Sequence, residues 1–184
     1  MVNHIDLSSV LKRSVCALYS NLVTRPTGAA VRTEIELQLG QLGPQALTII
    51  DFSHVGALDF SCADEIVAKL LLSSIANPER QDVYFVFRGM TDSHLDAIET
   101  VLERHGLALV YDRGADGVRL FGDIDPAGRE AWEAVFNRGG APADEIAAAV
   151  GIPCDEASKL LEDLRHRRLL MRTDAGYVAV RPVS

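Results

Sequence analysis

The sequence predicts an α/β domain with a mostly parallel sheet, preceded by an N-terminal helix and followed by a small α+β unit. Two observations predict the first part. Leu47-Thr48-Ile49-Ile50 and Val83-Tyr84-Phe85-Val86-Phe87 are continuous apolar, β-rich runs, as in strands buried on both faces. Each is followed by a helical pattern, and strands alternating with helices build a layered α/β sheet. A third observation predicts the second part: beyond Gly122-Asp123-Ile124-Asp125-Pro126 the pattern changes to three short helices and a hairpin. The chain so divides into residues 1–24, 25–122 and 126–184.

In order, Leu7, Val10, Leu11, Val15, Leu18 and Leu22 step by three and four, an amphipathic helix capped by Asp6 or Ser8. No strand is discernible before it. Thr24-Arg25-Pro26-Thr27-Gly28 interrupts the helix, because proline disfavours helical geometry in the residue before it. A second helix spans about Gly28 to Leu39, with Val31, Ile35 and Leu39 inward, and Gly40 and Gly43-Pro44 end it. Asp51 closes the central strand and His54-Val55-Gly56-Ala57 forms a loop. Ser61 then opens a helix whose apolar face is Ala63, Ile66, Val67, Leu70 and Leu71. Ser61 with Asp64 has the form of a capping box.

Asn77-Pro78 starts the next loop, and Arg88-Gly89 ends the second strand. Thr91 to His105 is a helix with Leu95, Ile98, Val101 and Leu102 inward and Gly106 as its C-terminal cap. Leu107 to Tyr111 is a third strand, Asp112 to Gly117 a hairpin loop, and Val118 to Phe121 a returning edge strand. In the small unit a helix runs from about Pro126 to Asn137, with Ala131, Trp132, Val135 and Phe136 as its apolar face. Gly139-Gly140 breaks it, and Pro142 sits in the first turn of a helix to Val150. Gly151-Ile152-Pro153 turns the chain into a third helix reaching about Arg168. Leu169 to Thr173 and Tyr177 to Arg181 then flank Asp174-Ala175-Gly176 as a hairpin.

Composition sets limits. A chain of 184 residues, 48% hydrophobic and 24% charged, suits one or two small globular domains. No apolar run approaches the roughly 18 residues of a membrane helix, and no charged-then-apolar leader opens the sequence. A cytoplasmic location and no membrane partner are expected. Cys16, Cys62 and Cys154 lie far apart without metal-ligand spacing, so they read as reduced thiols. The five histidines are equally scattered, and neither a metal nor a cofactor is expected. A net charge of -8 argues against non-specific affinity for nucleic acid.

Asp51-x-Ser53 followed by Asp59-Phe60-Ser61 resembles the STAS domain pattern of anti-sigma factor antagonists, over about residues 20 to 121. In that family a strand ends in an Asp-x-Ser-like stretch and an Asp-Ser-Ser-Gly motif starts the next helix. A partner kinase phosphorylates the second serine of the motif, which matches Ser61. Phe60 stands where the family has the first serine and Cys62 where it has glycine, so Phe-Ser-Cys-Ala-Asp-Glu is closer to a divergent STAS-like branch. The family usually begins with a strand or two, another departure here. The resemblance implies a non-catalytic regulator that binds a protein partner of the kinase or anti-sigma factor type. It makes Ser61 the phosphoacceptor candidate and Asp51, Ser53, Asp59 and Asp64 the switch loop.

The stretch 143–153, Ala-Asp-Glu-Ile-Ala-Ala-Ala-Val-Gly-Ile-Pro, resembles the helix-turn-helix of winged-helix regulators, with the likeness covering residues 126–181. It implies an alternative, a DNA-binding transcriptional regulator with Lys159, Arg165, Arg167 and Arg168 as contacts. Against this, the recognition helix would open with Asp155 and Glu156, where phosphates and base edges would lie. Residues 125–184 carry 8 basic and 10 acidic side chains, net -2, and residues 1–124 carry 10 and 16, net -6. A winged helix used for protein docking, or for forming a homodimer, fits that charge better.

Three further stretches have two readings each. Arg25, Thr27 and Gly28 at a helix start fit an anion site, or a helix stop followed by a threonine cap; no P-loop lysine accompanies them. Asp51, Asp59, Asp64 and Glu65 gather near one strand end, where paired carboxylates can do acid–base work. Only His54 joins them and no Gly-x-Ser-x-Gly elbow is present, so no enzyme is expected. In the plainer reading Asp64 caps the helix, Asp51 and Asp59 order the loop, and Ser61 is only an N-cap. Cys62 beside it is either an activated thiol or a small, partly buried filler.

Overall fold

The computed structural model describes residues 2–17, 20–42, 45–76 and 82–182. Leu18, the Gly43-Pro44 break and the Asn77-Pro78 loop start lie outside them. The chain opens with a strand, Val2–Asp6 (β1), which runs directly into a helix, Leu7–Ser14 (α1). This corrects the prediction of one long helix with no strand before it. Only Ile5 of β1 is buried, among Asn3, His4 and Asp6, so no apolar run marks the strand. The helical spacing holds for Leu7, Val10 and Leu11, all buried. Beyond Ser14, however, Val15 is 40% exposed and Leu22 makes a parallel bridge to Leu58. Asp6 is the cap of α1, its Oδ1 accepting the Ser8 N–H at 3.0 Å.

Arg25–Leu39 (α2) begins earlier than predicted, because Pro26 has the right φ for a first turn and needs no N–H there. Gln45–Asp51 (β2), Asp82–Arg88 (β3), Ala108–Asp112 (β4) and Val118–Gly122 (β5) join β1 in a sheet ordered 1-2-3-4-5. The first four strands are parallel and β5 returns antiparallel to β4. Between β2 and β3 come Phe60–Ala63 (α3), a π-helical segment Asp64–Ala68, and Lys69–Ala76 (α4). Asp92–His105 (α5) follows β3, capped by Thr91 and stopped by Gly106 in the left-handed region.

Crossovers of one hand between sequential parallel strands put the helices on one face. Ile5, Ile50, Phe85 and Phe87 accordingly share an apolar cluster with Leu11, Ile35, Ile66 and Ile98. The opposite face is covered by Pro126–Arg138 (α6), Ala143–Val150 (α7), Cys154–His166 (α8) and a hairpin, Leu170–Thr173 (β6) with Gly176–Ala179 (β7). Leu47, Ile49, Val86 and Val110 share a second cluster with Trp132, Val135, Leu161 and Leu170. That is why β2 and β3 read as unbroken apolar runs: alternate residues serve two cores.

Polar contacts tie the C-terminal unit down. Trp132 is 1% exposed and its Nε1 donates to Leu169 O at 3.0 Å. Arg168, 5% exposed, donates to Ser74 O and Asp82 Oδ1 and lies 5.5 Å over the Tyr84 ring.

Candidate functional site

The stretch Asp59 to Glu65 follows the C-terminal end of β2 and packs against the start of α2. Asp59, not Ser61, is the N-cap of α3, which corrects the Ser61–Asp64 capping box. The carboxylate lies nearer the first free amides: Asp59 Oδ1 accepts the Cys62 N–H at 2.8 Å and the Ser61 hydroxyl at 2.9 Å. Its Oδ2 accepts the Thr24 N–H at 3.0 Å. Burial works against ionisation of Asp59, but the Thr24 and Cys62 amides and the Ser61 hydroxyl outweigh it and hold the pKa below the usual value. Ser61 is half-buried in the first turn.

Thr24 has φ 77° and ψ 137°. A β-branched residue there is a backbone outlier, and such conformations persist only where surrounding contacts hold them. Contacts from α3 and its cap do so here: the Thr24 amide donates to Asp59, and the Cys62 Sγ–H donates to Thr24 O at 3.0 Å. Gly28 lets α2 lie against α3, since a Cβ there would sit 2.9 Å from Cys62 Cα. Cys62 is fully buried, and burial, reinforced by Asp59, pushes its thiol up to about 12. The full burial of Cys62 fits a small filler beside the cap rather than an activated thiol.

Asp64 and Glu65 start the π-helical segment, a distortion that often marks functional sites. They are 8% and 2% exposed and carry their own cations. Arg25 Nη1 donates to Asp64 Oδ2 at 2.7 Å and Glu65 Oε1 at 2.8 Å. His105 Nε2 lies 2.8 Å from Asp64 Oδ1, and Arg32 and Lys69 both reach Glu65. Burial opposes ionisation of both acids, yet both pKa values are lowered, chiefly by Arg25 and His105 for Asp64 and by Lys69 and Arg25 for Glu65. Arg25, read as an anion ligand with Thr27 and Gly28, is thus engaged by two carboxylates. The Gly28 N–H donates to Thr24 O, and Thr27 Oγ1 lies 3.1 Å from Thr24 Oγ1.

Asp51 and Ser53 form a separate cluster at the ends of β1, β2 and β3. Asp51 Oδ1 accepts both the Ser53 N–H and its hydroxyl, at 2.9 and 2.6 Å. Asp51 Oδ2 accepts from Arg88 Nε at 2.8 Å and lies 3.1 Å from His4 Nε2. Burial would raise the Asp51 pKa, but Ser53 and then Arg88 bring it down to about 2. Gly89, at φ 70°, closes the cluster, since a Cβ would meet Ser53 N at 2.6 Å. Each serine hydroxyl here donates to a carboxylate and neither has a histidine partner. His54 is exposed and belongs to neither cluster.

Of the residues read as DNA contacts, Lys159 lies 3.8 Å from Asp155 and Arg165 is 2.7 Å from Glu162. Arg167 donates to the Asp123 and Gly106 carbonyls, and Arg168 is buried in the contact with Ser74 and Asp82. Among the described residues, no His, Cys, Asp and Glu group of metal-binding size occurs, and no helix is long and apolar enough to cross a membrane.

Sequence reasoning missed Arg32, Lys69, His105, Arg88 and His4. Arg25 and Arg32 are seven apart, on one helix face, and Glu65 and Lys69 are four apart, so part of the charge network had a readable signal. The long-range partners His4 and His105 had none. No protein-family model, no curated protein and no solved structure matches the chain.

Proposed function

We propose that the chain is a non-catalytic regulatory protein of STAS-like type that acts by binding a protein partner, with Ser61 as its phosphorylation switch. One observation carries the reading: the Ser61 hydroxyl donates to the same Asp59 carboxylate that holds the Thr24 amide and caps α3. A phosphate on Ser61 removes that donor and sets a charge of about -1.5 to -2 beside Asp59. Repulsion then pulls Asp59 from Thr24, whose outlying backbone relaxes, and the surface around Thr24 and Ser61 changes shape and charge together. The unmodified form is the binding form.

A DNA-reading role for the C-terminal unit, as a winged helix, has less support. Lys159 and Arg165 each have a carboxylate neighbour, and Arg167 and Arg168 make contacts inside the molecule.

The test is an affinity capture from the source cells, wild type against Ser61→Asp and Ser61→Ala, read by mass spectrometry. A kinase-like or anti-sigma-like protein held by wild type and Ser61→Ala, and lost with Ser61→Asp, supports the reading. Equal recovery by all three sinks it, and promoter DNA with polymerase subunits in all three moves the assignment to the winged helix.

A further inference from the structure

β1 is an edge of the sheet: among the described residues it pairs with β2 on one side and with no strand on the other. Such an edge presents unpaired backbone N–H and C=O groups, and proteins usually guard it with a very short strand, proline, a bulge, charged side chains or a covering helix or loop. Val2–Asp6 has no proline, and its pairing with β2 runs in unbroken register from Val2 to Asp6.

A groove of about 580 Å³ is lined by His4 and Asp6 of β1, by Ser9, Lys12 and Arg13 of α1, and by Gln38 of α2. His4 and Asp6 lie on the strand face opposite Ile5, whereas α1 and α2 pack on the Ile5 side. The groove therefore touches residues of β1 from one strand face and residues of α1 and α2 from the other.

The charge of the groove is distinctive in a chain of net charge -8. Lys12 and Arg13 are exposed, and among the described residues neither has an ion-pair partner. Asp6 accepts the Ser8 N–H and the Ser9 hydroxyl, so the acid that lines the groove is already engaged by α1. His4, 47% exposed at its side chain, has its Nε2 turned toward Asp51 and Arg88 and leaves Lys12 and Arg13 as the cations of the groove. Val2, 42% exposed on the same strand face, offers an apolar contact at the other end.

We infer that β1 is a docking edge for an extended acidic segment of a protein partner, which adds as a sixth strand. Backbone pairing along Val2–Asp6 supplies the affinity, Lys12 and Arg13 select carboxylates, and Val2 takes an apolar side chain at the start of the strand. The site is separate from Ser61 and does not depend on the switch.

The probe is a fluorescent eight-residue peptide alternating glutamate and valine, with a fully N-methylated counterpart of equal charge, titrated by fluorescence polarisation. The expected result is saturable binding of the first peptide to wild type. That affinity falls about tenfold or more for the Lys12→Glu/Arg13→Glu variant, whose circular dichroism stays that of wild type, and for the N-methylated peptide. Hydrogen exchange of the Val2–Asp6 amides slows in the complex. No binding of the first peptide overturns the inference, as does equal binding by the double variant. Equal binding of the N-methylated peptide overturns strand addition, and a stable dimer through β1 that the peptide cannot open shows the edge taken by a second copy.

Discussion

The Asp59 carboxylate accepts the Thr24 amide at 3.0 Å, across 35 residues of chain, and thereby holds a threonine at φ 77°. The same side chain caps α3 and receives the Ser61 hydroxyl. Replacing it removes three hydrogen bonds at once. Asp59→Ala should lower unfolding stability by about 1–2 kcal/mol in urea, the usual cost of a lost N-cap or somewhat more. Thr24→Gly, which relieves the backbone, should lose less than about 1 kcal/mol in spite of its greater unfolded-state freedom. A Thr24→Gly variant as unstable as Asp59→Ala would contradict the strain at Thr24.

Asp51 is depressed to about 2 in the folded chain against about 4 unfolded. A lowered acid contributes stability that is fully present above the unfolded pKa and is lost as pH falls through the folded one. Wild type should therefore exceed Asp51→Asn by roughly 2 kcal/mol at pH 7. That excess should shrink between about pH 4 and pH 2. Urea midpoints of both chains across this range check it, and a constant difference would show that Asp51 is not ionised by its partners.

Gly28 meets Cys62 Cα with no room for a side chain. Helix propensity alone makes Gly28→Ala stabilising by up to about 1 kcal/mol, because alanine loses less freedom in a helix. The close approach reverses the sign, because the contact is with backbone, and a net loss of about 1–3 kcal/mol is expected. Thermal denaturation of the single variant decides between the two.

Cys62 is buried with its thiol pushed up to about 12, whereas Cys154 is exposed. Iodoacetamide at pH 8 should label Cys154 in the native chain and leave Cys62 unlabelled until urea unfolds it. Peptide mass spectrometry reads both sites. Fast native labelling of Cys62 would mean that α2 opens away from α3 far more readily than their packing implies.

The parts of the fold that were legible are those with dense local signals. β2 and β3 stood out because both faces of each strand are apolar, and α5 because Thr91 and Gly106 mark its ends. β1 was hidden because an edge strand with a single buried side chain, Ile5, carries no run and little alternation. At the candidate site Asp59 and Ser61 are both good cap residues two positions apart, and the local pattern does not say that Asp59 takes the Cys62 N–H. The partners of Asp64, Arg25 and His105, come from 39 and 41 residues away, set by how α2 and α5 pack, which no local pattern encodes.

The central claim is that phosphate on Ser61 breaks the hold of Asp59 on Thr24. Hydrogen exchange at the Thr24 amide, by NMR, in the unmodified chain and in one carrying phosphoserine at position 61, tests it directly. Faster exchange at Thr24 in the phosphorylated chain, with the amides of β2 and β3 unchanged, is the predicted result. Equal protection of Thr24 in both would contradict it.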